Sequence, residues 1–200
     1  MSKPLDPIEH EELKNVPSQV ITKLLMVSRR LSESSELSVV LSTVIDALRD
    51  LLNAERATVF EYDAEANELF TQVAHGISKT GSGVIRIPAN RGIAGAAAQS
   101  KELIHIPDAY ADSRFNQAID QATGFRTRNI LALPLIDHEG GLVGVAQVLN
   151  SCHGPFTDQD QEIALGLSAQ AAVAIRRGRL MEDRMAVSYT HLTLPTIYSV

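Results

Sequence analysis

Residues 104–135 read IHIPDAYADSRFNQAIDQATGFRTRNILALPL, the densest run of unusual choices in the chain. Two short apolar runs, 103–106 and 130–135, bracket about two dozen polar, aromatic and turn-forming residues. A connection that long inside a compact domain either binds something or lacks structure. This one carries Tyr110, Phe115 and Phe125, a helical candidate at 116–122, and a break at Thr123 and Gly124. The composition predicts a folded lid or binding segment, with the rest of the chain as the scaffold that presents it.

Working outward toward the C-terminus, residues 130–136 and 142–149 read as strands. His138, Glu139, Gly140 and Gly141 make the tight turn between them, the glycines being free to take positive φ. Thr157 with Asp160 three residues on opens a last helix, which runs through the alanine-rich 163–175 and on over 176–185. Toward the N-terminus, 57–62 and 69–74 form a hairpin across the polar connection 63–67. A third strand, 84–87, follows a Gly-Ser-Gly loop and stops at Pro88. Arg91, Gly92, Ile93, Ala94 and Gly95 then lead into a small-residue helix ending near Ser100.

Farther back, Leu37, Val40, Leu41, Val44, Ile45, Leu48, Leu51 and Leu52 recur at steps of three and four, one stripe of a helix opened by residues 34–36. Ser18 caps an earlier helix reaching about Leu31. Period two flanked by period 3.6 predicts an α+β fold: a central antiparallel sheet with helices packed on it, and long helices at both ends.

A chain of 200 residues with 44% hydrophobic content suits one domain with appendages. A net charge of −6 argues against nucleic acid and anionic membrane as partners. Cys152 alone builds neither a disulfide framework nor a Cys-rich zinc site, and six histidines show no metal spacing. No run approaches the ~20 apolar residues of a membrane span. The acidic N-terminus lacks a signal-peptide core, so a cytoplasmic protein is expected. Residues 1–17, with their prolines and mixed charge, read as a flexible leader and 18–186 as the domain. Residues 187–196, VSYTHLTLPT, look like the translated sequence of a transposon sequencing adapter, so 187–200 are expected to be a non-native tail. On that reading the natural chain continues into a C-terminal effector domain in cis that is absent here.

Three segments resemble a GAF domain over residues 18–186: IRIP at 85–88 with GIAG at 92–95, IPDAY at 106–110, and TGFRTRNIL at 123–131. The likeness is to the cyclic-nucleotide-binding GAF domains of phosphodiesterases and adenylyl cyclases, and it implies a GAF-like, PAS-related sheet. Of the family's five-residue signature, Asn150, Phe156 and Asp160 are present. The Lys position is Ser151 and the Glu position is Gln161. In the family the Lys and Asp form a salt bridge, which Ser151 cannot make.

The resemblance also implies a pocket for cAMP or cGMP, with no cofactor required. It places Ile93 and Ala94 against the phosphate. Independently, Gly92, Ile93 and Ala94 stand at a helix N-terminus, whose free N–H groups and dipole favour an anion, with Arg91 adding charge nearby. Asn116, Asp120, Thr123 and Thr127 fall on the phosphate–ribose side; Thr58, Ala74, His75 and Gln147 fall on the base side. Ala74 replaces an aromatic that stacks on guanine in one relative, a loss of roughly 1–3 kcal/mol per stacked base. His75 and Gln147 stand where that relative uses acids. Each can donate and accept, so adenine is as readable as guanine.

Other polar residues read as structure: Asp108 and Asp112 as turn and cap formers, Tyr110 as a lid anchor, and one of Arg126 and Arg128 as a partner for an acid such as Asp120. No nucleophile stands beside a base, no carboxylate pair has defined spacing, and there is no phosphate-cradling loop, so catalysis is not expected. Sulfoxide reduction and bilin attachment, both known on this fold, need cysteines that Cys152 does not match. The expected function is a regulatory ligand sensor. It forms a parallel homodimer through its terminal helices, with Leu167, Ala171, Ala174, Met181 and Met185 as a seam interrupted by Gly178. Two rivals stand beside it: a ligand-free dimerising spacer, supported by Ser151, Ala74 and His75, and a sensor for another small molecule.

Overall fold

The computed structural model describes residues 18–71 and 84–192. Helices α1 (Ser18–Glu33) and α2 (Leu37–Leu51) come first. Strands β1 (Ala54–Asp63), β2 (Glu68–Thr71) and β3 (Ile85–Pro88) follow, then helix α3 (Gly92–Ser100). Next come β4 (Ile104–Ile106), a 3₁₀ turn (Ala109–Ala111) and the short helix α4 (Gln117–Thr123). The last elements are β5 (Ile130–Ile136), β6 (Leu142–Ser151) and the long helix α5 (Asp158–Leu192). The strands form one antiparallel sheet in the order β3-β2-β1-β6-β5-β4. This is the α+β architecture that the two periodicities predict.

Side-chain alternation divides the sheet between two cores. Ala57 and Val59 of β1 and Leu131, Leu133 and Leu135 of β5 face the stripe on α2 (Val40, Leu41, Val44, Ile45, Leu48) and Ile163, Ala164, Leu167, Ala171 and Ile175 of α5. Phe60, Ile130 and Ala132 turn the other way and meet Ile93, Ala94 and Ala97 of α3. β5 is apolar along its length because both its faces are covered. The alternation on β6 reverses at a bulge. Gly144 pairs with Leu135 and Leu142 with Ile136, leaving Val143 as an extra residue. A Cβ on Gly144 would lie 2.2 Å from the Phe60 carbonyl oxygen, so the strands approach this closely only because glycine is there.

The sequence RRGR at 176–179 fastens α5 to three neighbours. Arg176 binds Asp137 at 2.5 Å and Glu139 at 2.7 Å, across the β5–β6 turn. Arg177 donates to the carbonyls of Leu31, Ser32 and Ser34, capping the C-terminus of α1, where helical carbonyls lack intrahelical partners. Arg179 reaches the buried Glu61 of β1 at 3.0 Å. Gly178 lets α5 cross α2, since a Cβ there would sit 3.2 Å from Leu37.

Several expectations change. Leu167, Ala171 and Ala174 are buried in the chain's own core and do not form an outward seam; a helical period cannot tell a sheet from a partner helix. Met181 is exposed, and the side chain of Met185 lies outside the described residues, as does the leader 1–17. α2 starts at Leu37 with Glu36 at the cap position and no side-chain cap bond. Helical backbone continues past Ala186 to Leu192, although the sequence loses its helical period there; residues 193–200 lie outside the described residues. Among the described residues no helix is long and apolar enough to cross a membrane.

Candidate ligand-binding site

The sheet face opposite α2 and α5 carries a cavity of about 300 Å³, at the lower end of the range typical of small-molecule pockets. Its floor is two rungs of the sheet. Arg56 pairs with Leu149 and Leu149 with Ile130, while Thr58 pairs with Gln147 and Gln147 with Ala132. Ile85 and Ile87 of β3 close one side, and Gly92, Ile93 and Ala94 of α3 another. The roof is the lid: Phe115, Asn116, Ile119, Asp120, Thr123, Phe125 and Thr127.

The α3 end is built for an anion. Gly92 takes φ +70, a left-handed conformation natural to glycine, and Arg91 at the cap position makes no side-chain cap bond. The first-turn N–H groups of a helix have no intrahelical acceptor, and those of Gly92, Ile93 and Ala94 belong to residues lining the cavity. Gly95 sets the approach of α3 to the preceding loop: a Cβ there would lie 2.9 Å from the Asn90 carbonyl carbon. The charged side chains of the lining are Arg56, Arg91 and Asp120.

Asp120 is already committed. One carboxylate oxygen accepts from the Thr127 hydroxyl at 2.7 Å; the other accepts from the Thr127 N–H at 2.6 Å and the Tyr110 hydroxyl at 3.1 Å. Burial, and then the Asp120 carboxylate, push the Tyr110 phenol above its ordinary pKa, so it stays a donor at neutral pH. This latch ties α4 to the 3₁₀ turn and to the segment that leads from the lid into β5. Neither flanking arginine binds Asp120. Arg126 lies over the Tyr110 ring at 4.0 Å, and Arg128 pairs with Glu55 at 2.8 Å. Asp108 and Asp112 form turns, Asp108 accepting from the Tyr110 N–H and Asp112 from Arg114.

Of the residues expected at the pocket, Thr58, Ile93, Ala94, Asn116, Asp120, Thr123, Thr127 and Gln147 all line the one cavity. Ala74 and His75 lie outside the described residues. Asn116 is the N-cap of α4, its side-chain oxygen accepting from the Ala118 N–H, which leaves its amide donors for the cavity. Thr123 donates to the Ile119 carbonyl and accepts from the Phe125 N–H at 3.4 Å, so one acceptor site on its oxygen remains for a ligand. Sequence reasoning missed Arg56 and Phe125, whose guanidinium and ring stack at 3.7 Å. Extending the alternation of Thr58 and Phe60 back by one step would have found Arg56.

The signature residues stand outside the cavity and hold its frame. Asn150, fully buried with φ +60, donates to Glu55 and to the Arg126 carbonyl and accepts from the Arg128 N–H at 2.6 Å. The segment that leads from the lid into β5 thus alternates its bonds, Thr127 to the latch and its neighbours Arg126 and Arg128 to Asn150. Asn150 and then Arg128 hold the Glu55 carboxyl below its ordinary pKa. Phe156 packs in the helix-side core. Asp160 accepts from the Thr157 N–H and hydroxyl, a reciprocal cap at the start of α5. Asp160 therefore does its work within the helix start, and Ser151, nine positions earlier at the end of β6, is buried without any cation to contribute.

The GAF domain family matches residues 36–175. The chain is 38% identical over 114 residues to a cGMP-specific 3',5'-cyclic phosphodiesterase of Drosophila virilis, covering 56% of this chain and 13% of that protein. It therefore spans about an eighth of that relative's length. Among solved structures, the GAF domain of an Acinetobacter phosphoenolpyruvate-protein phosphotransferase superposes with a TM-score of 0.70 at 16% identity, over 84% of this chain and 99% of that one. The GAF domain of the Coxiella burnetii phosphoenolpyruvate-protein phosphotransferase gives 0.73 at 19% identity, over 82% and 96%. These two likenesses speak for the fold. With the family matched across most of its length, the chain belongs to the GAF domain family of regulatory sensor modules.

Proposed function

We propose that this domain binds a purine cyclic nucleotide beneath the lid and passes the resulting order into α5. One observation carries the reading: the uncapped N-terminus of α3 and the lid enclose a cavity whose acid, Asp120, is occupied by three hydrogen bonds from the chain, while among the described residues no hydrogen bond or ion pair engages the side chains of its arginines. An anion is favoured at the helix terminus, and Thr58 and Gln147 offer both donors and acceptors to a base. The similarity to a cGMP-specific phosphodiesterase supports the same ligand class. The candidate ligands are cAMP and cGMP, and no cofactor is needed. The domain is non-catalytic on this reading, and any activity belongs to a C-terminal effector in cis.

The route outward is the RRGR clamp. The segment leaving the lid is bonded at Arg126 through Asn150 to Glu55 on β1, and β1 holds Arg179 of α5 through Glu61. We further propose a cytoplasmic location and a parallel homodimer through α1 and α5, whose Leu25, Val173 and Leu180 are each more than half exposed. The spacer reading keeps one observation in its favour, the absence of a cation at Ser151. Calorimetric titration of the whole chain separates the two. The sensor reading expects saturable binding of cAMP or cGMP with one site per chain, abolished or weakened by Asp120→Ala. No heat at millimolar nucleotide from a folded, dimeric protein would leave the spacer.

A further inference from the structure

We infer that Glu55 is a positioning residue for the cavity wall: through Asn150 it fixes the segment that carries Thr127, and so sets the affinity for ligand. The inference rests on the cyclic-nucleotide reading above and adds to it a residue that stands outside the cavity lining. Thr127 lines the cavity, and both its N–H and its hydroxyl go to Asp120. Those bonds tie it to the lid helix and not to the sheet. The residues on either side of it make the tie to the sheet. The Arg126 carbonyl accepts from the Asn150 amide at 2.8 Å, and the Arg128 N–H donates to the Asn150 side-chain oxygen at 2.6 Å. Asn150 stands near the end of β6, fully buried, and its amide also donates to Glu55 at 2.8 Å. The alternation that puts Arg56 and Thr58 in the cavity turns Glu55 to the other face of β1. Thr127 is thus held from two sides, by the lid through Asp120 and by the sheet through Asn150 and Glu55.

Glu55 makes two bonds of unequal weight. Its ion pair with Arg128 joins side chains that are 38% and 50% exposed, and a pair so open to water contributes little. Its bond to Asn150 joins a charged acceptor to a fully buried donor, the stronger kind. The Glu55 carboxyl reflects the same order, being held below its ordinary pKa first by Asn150 and then by Arg128. Without Glu55, one buried N–H of the Asn150 amide has no acceptor. An orphaned buried donor is costly, so the side chain turns to find another partner. Any turn pulls on the Arg126 carbonyl or the Arg128 N–H, each one residue from Thr127. The wall then holds its binding geometry for only part of the time, and affinity falls by that fraction.

The test is calorimetric binding of cGMP and cAMP to the whole chain: wild type, Glu55→Ala, Glu55→Gln and, as a control for lost stability, Leu48→Ala. Glu55→Ala should weaken nucleotide binding by about two- to thirtyfold, the range for residues that act on a site without touching its ligand. Glu55→Gln keeps a carbonyl oxygen for the Asn150 amide and should restore binding to within about twofold of wild type. Leu48→Ala weakens the core beneath α2 and should bind like wild type. In the unliganded Glu55→Ala protein, the amides of Thr127 and Arg128 should exchange faster while the first turn of α3 is unchanged. Circular dichroism reports folding. If Glu55→Ala does not fold, Glu55→Asp, whose shorter side chain draws the carboxylate back from Asn150, takes its place. Unchanged affinity in Glu55→Ala, or equal weakening in Glu55→Gln or Leu48→Ala, overturns the positioning role and leaves cyclic-nucleotide binding standing. A folded wild-type chain that binds neither nucleotide overturns the functional reading on which the role rests.

Discussion

On one face of the sheet Ile45, Leu48, Leu133 and Leu167 are sealed from solvent between α2 and α5, whereas on the other the lid helix α4 leaves Ile119 54% exposed. The first face is held by many close apolar contacts, each small and together large. The lid over the second face, outside the core that α3 makes there, is held at a few points: the Phe115–Tyr110 ring contact at 5.3 Å, the Arg56–Phe125 stack, and the Asp120 latch. An element with few buried apolar contacts opens at lower free energy than the core. The molecule thus keeps its freedom to respond in the lid, above a sheet whose two faces both carry buried cores and whose β5 is buried between them.

Truncating the sealed face should have the largest effect. Leu48→Ala should lower the unfolding free energy by about 2–5 kcal/mol, read from denaturant midpoints, because a fully buried side chain leaves a cavity. Amide exchange of α4 under native conditions should barely change. Asp120→Ala should do the reverse. Its global effect should be smaller, about 1–3 kcal/mol, since the Thr127 and Tyr110 donors lose their acceptor, while exchange of residues 117–127 rises. If Asp120→Ala destabilises the whole domain as much as Leu48→Ala does, the lid is part of the core and the contrast fails.

A finer contrast lies within β1. Hydrogen bonds from Asn150 and Arg128 hold Glu55 below its ordinary pKa, whereas burial pushes Glu61 up despite Arg179. Glu55 therefore stabilises the fold above the unfolded carboxylate pKa, and loses that contribution as pH falls through its lowered folded value. Glu61 has its contribution below the unfolded value, and loses it as pH rises through its raised folded value. In a pH series of urea midpoints, Glu55→Gln should flatten the acid limb. Glu61→Gln should flatten the limb just above the ordinary carboxylate range. The same slope change in both variants would contradict the opposite environments.

The sealed face was legible in the sequence because its rules are local. The stripe of α2 repeats within a few residues, the apolar runs of β5 and β6 flank a glycine turn, and the buried residues follow them. The lid was legible as an overlong polar connection with aromatics, and its helix falls one residue from the expected span. What escaped depends on pairs far apart in the chain. Arg56 and Phe125 meet across 69 positions, and Arg177 reaches carbonyls more than 140 positions away. Asp120 was placed on the cavity, but its engagement by Tyr110 could not be read from spacing. The period of Leu167, Ala171 and Ala174 was real, and its partner is the chain's own sheet.

The central claim is that ligand binding beneath α4 orders the lid. Hydrogen–deuterium exchange of the whole chain with and without saturating cGMP tests it most directly. The account predicts slowed exchange concentrated in residues 116–127 and at the first turn of α3, with a smaller effect around Arg176–Arg179 and none in the centre of α2. Unchanged exchange of 116–127 at millimolar cGMP and cAMP, in protein shown to be folded, would contradict it.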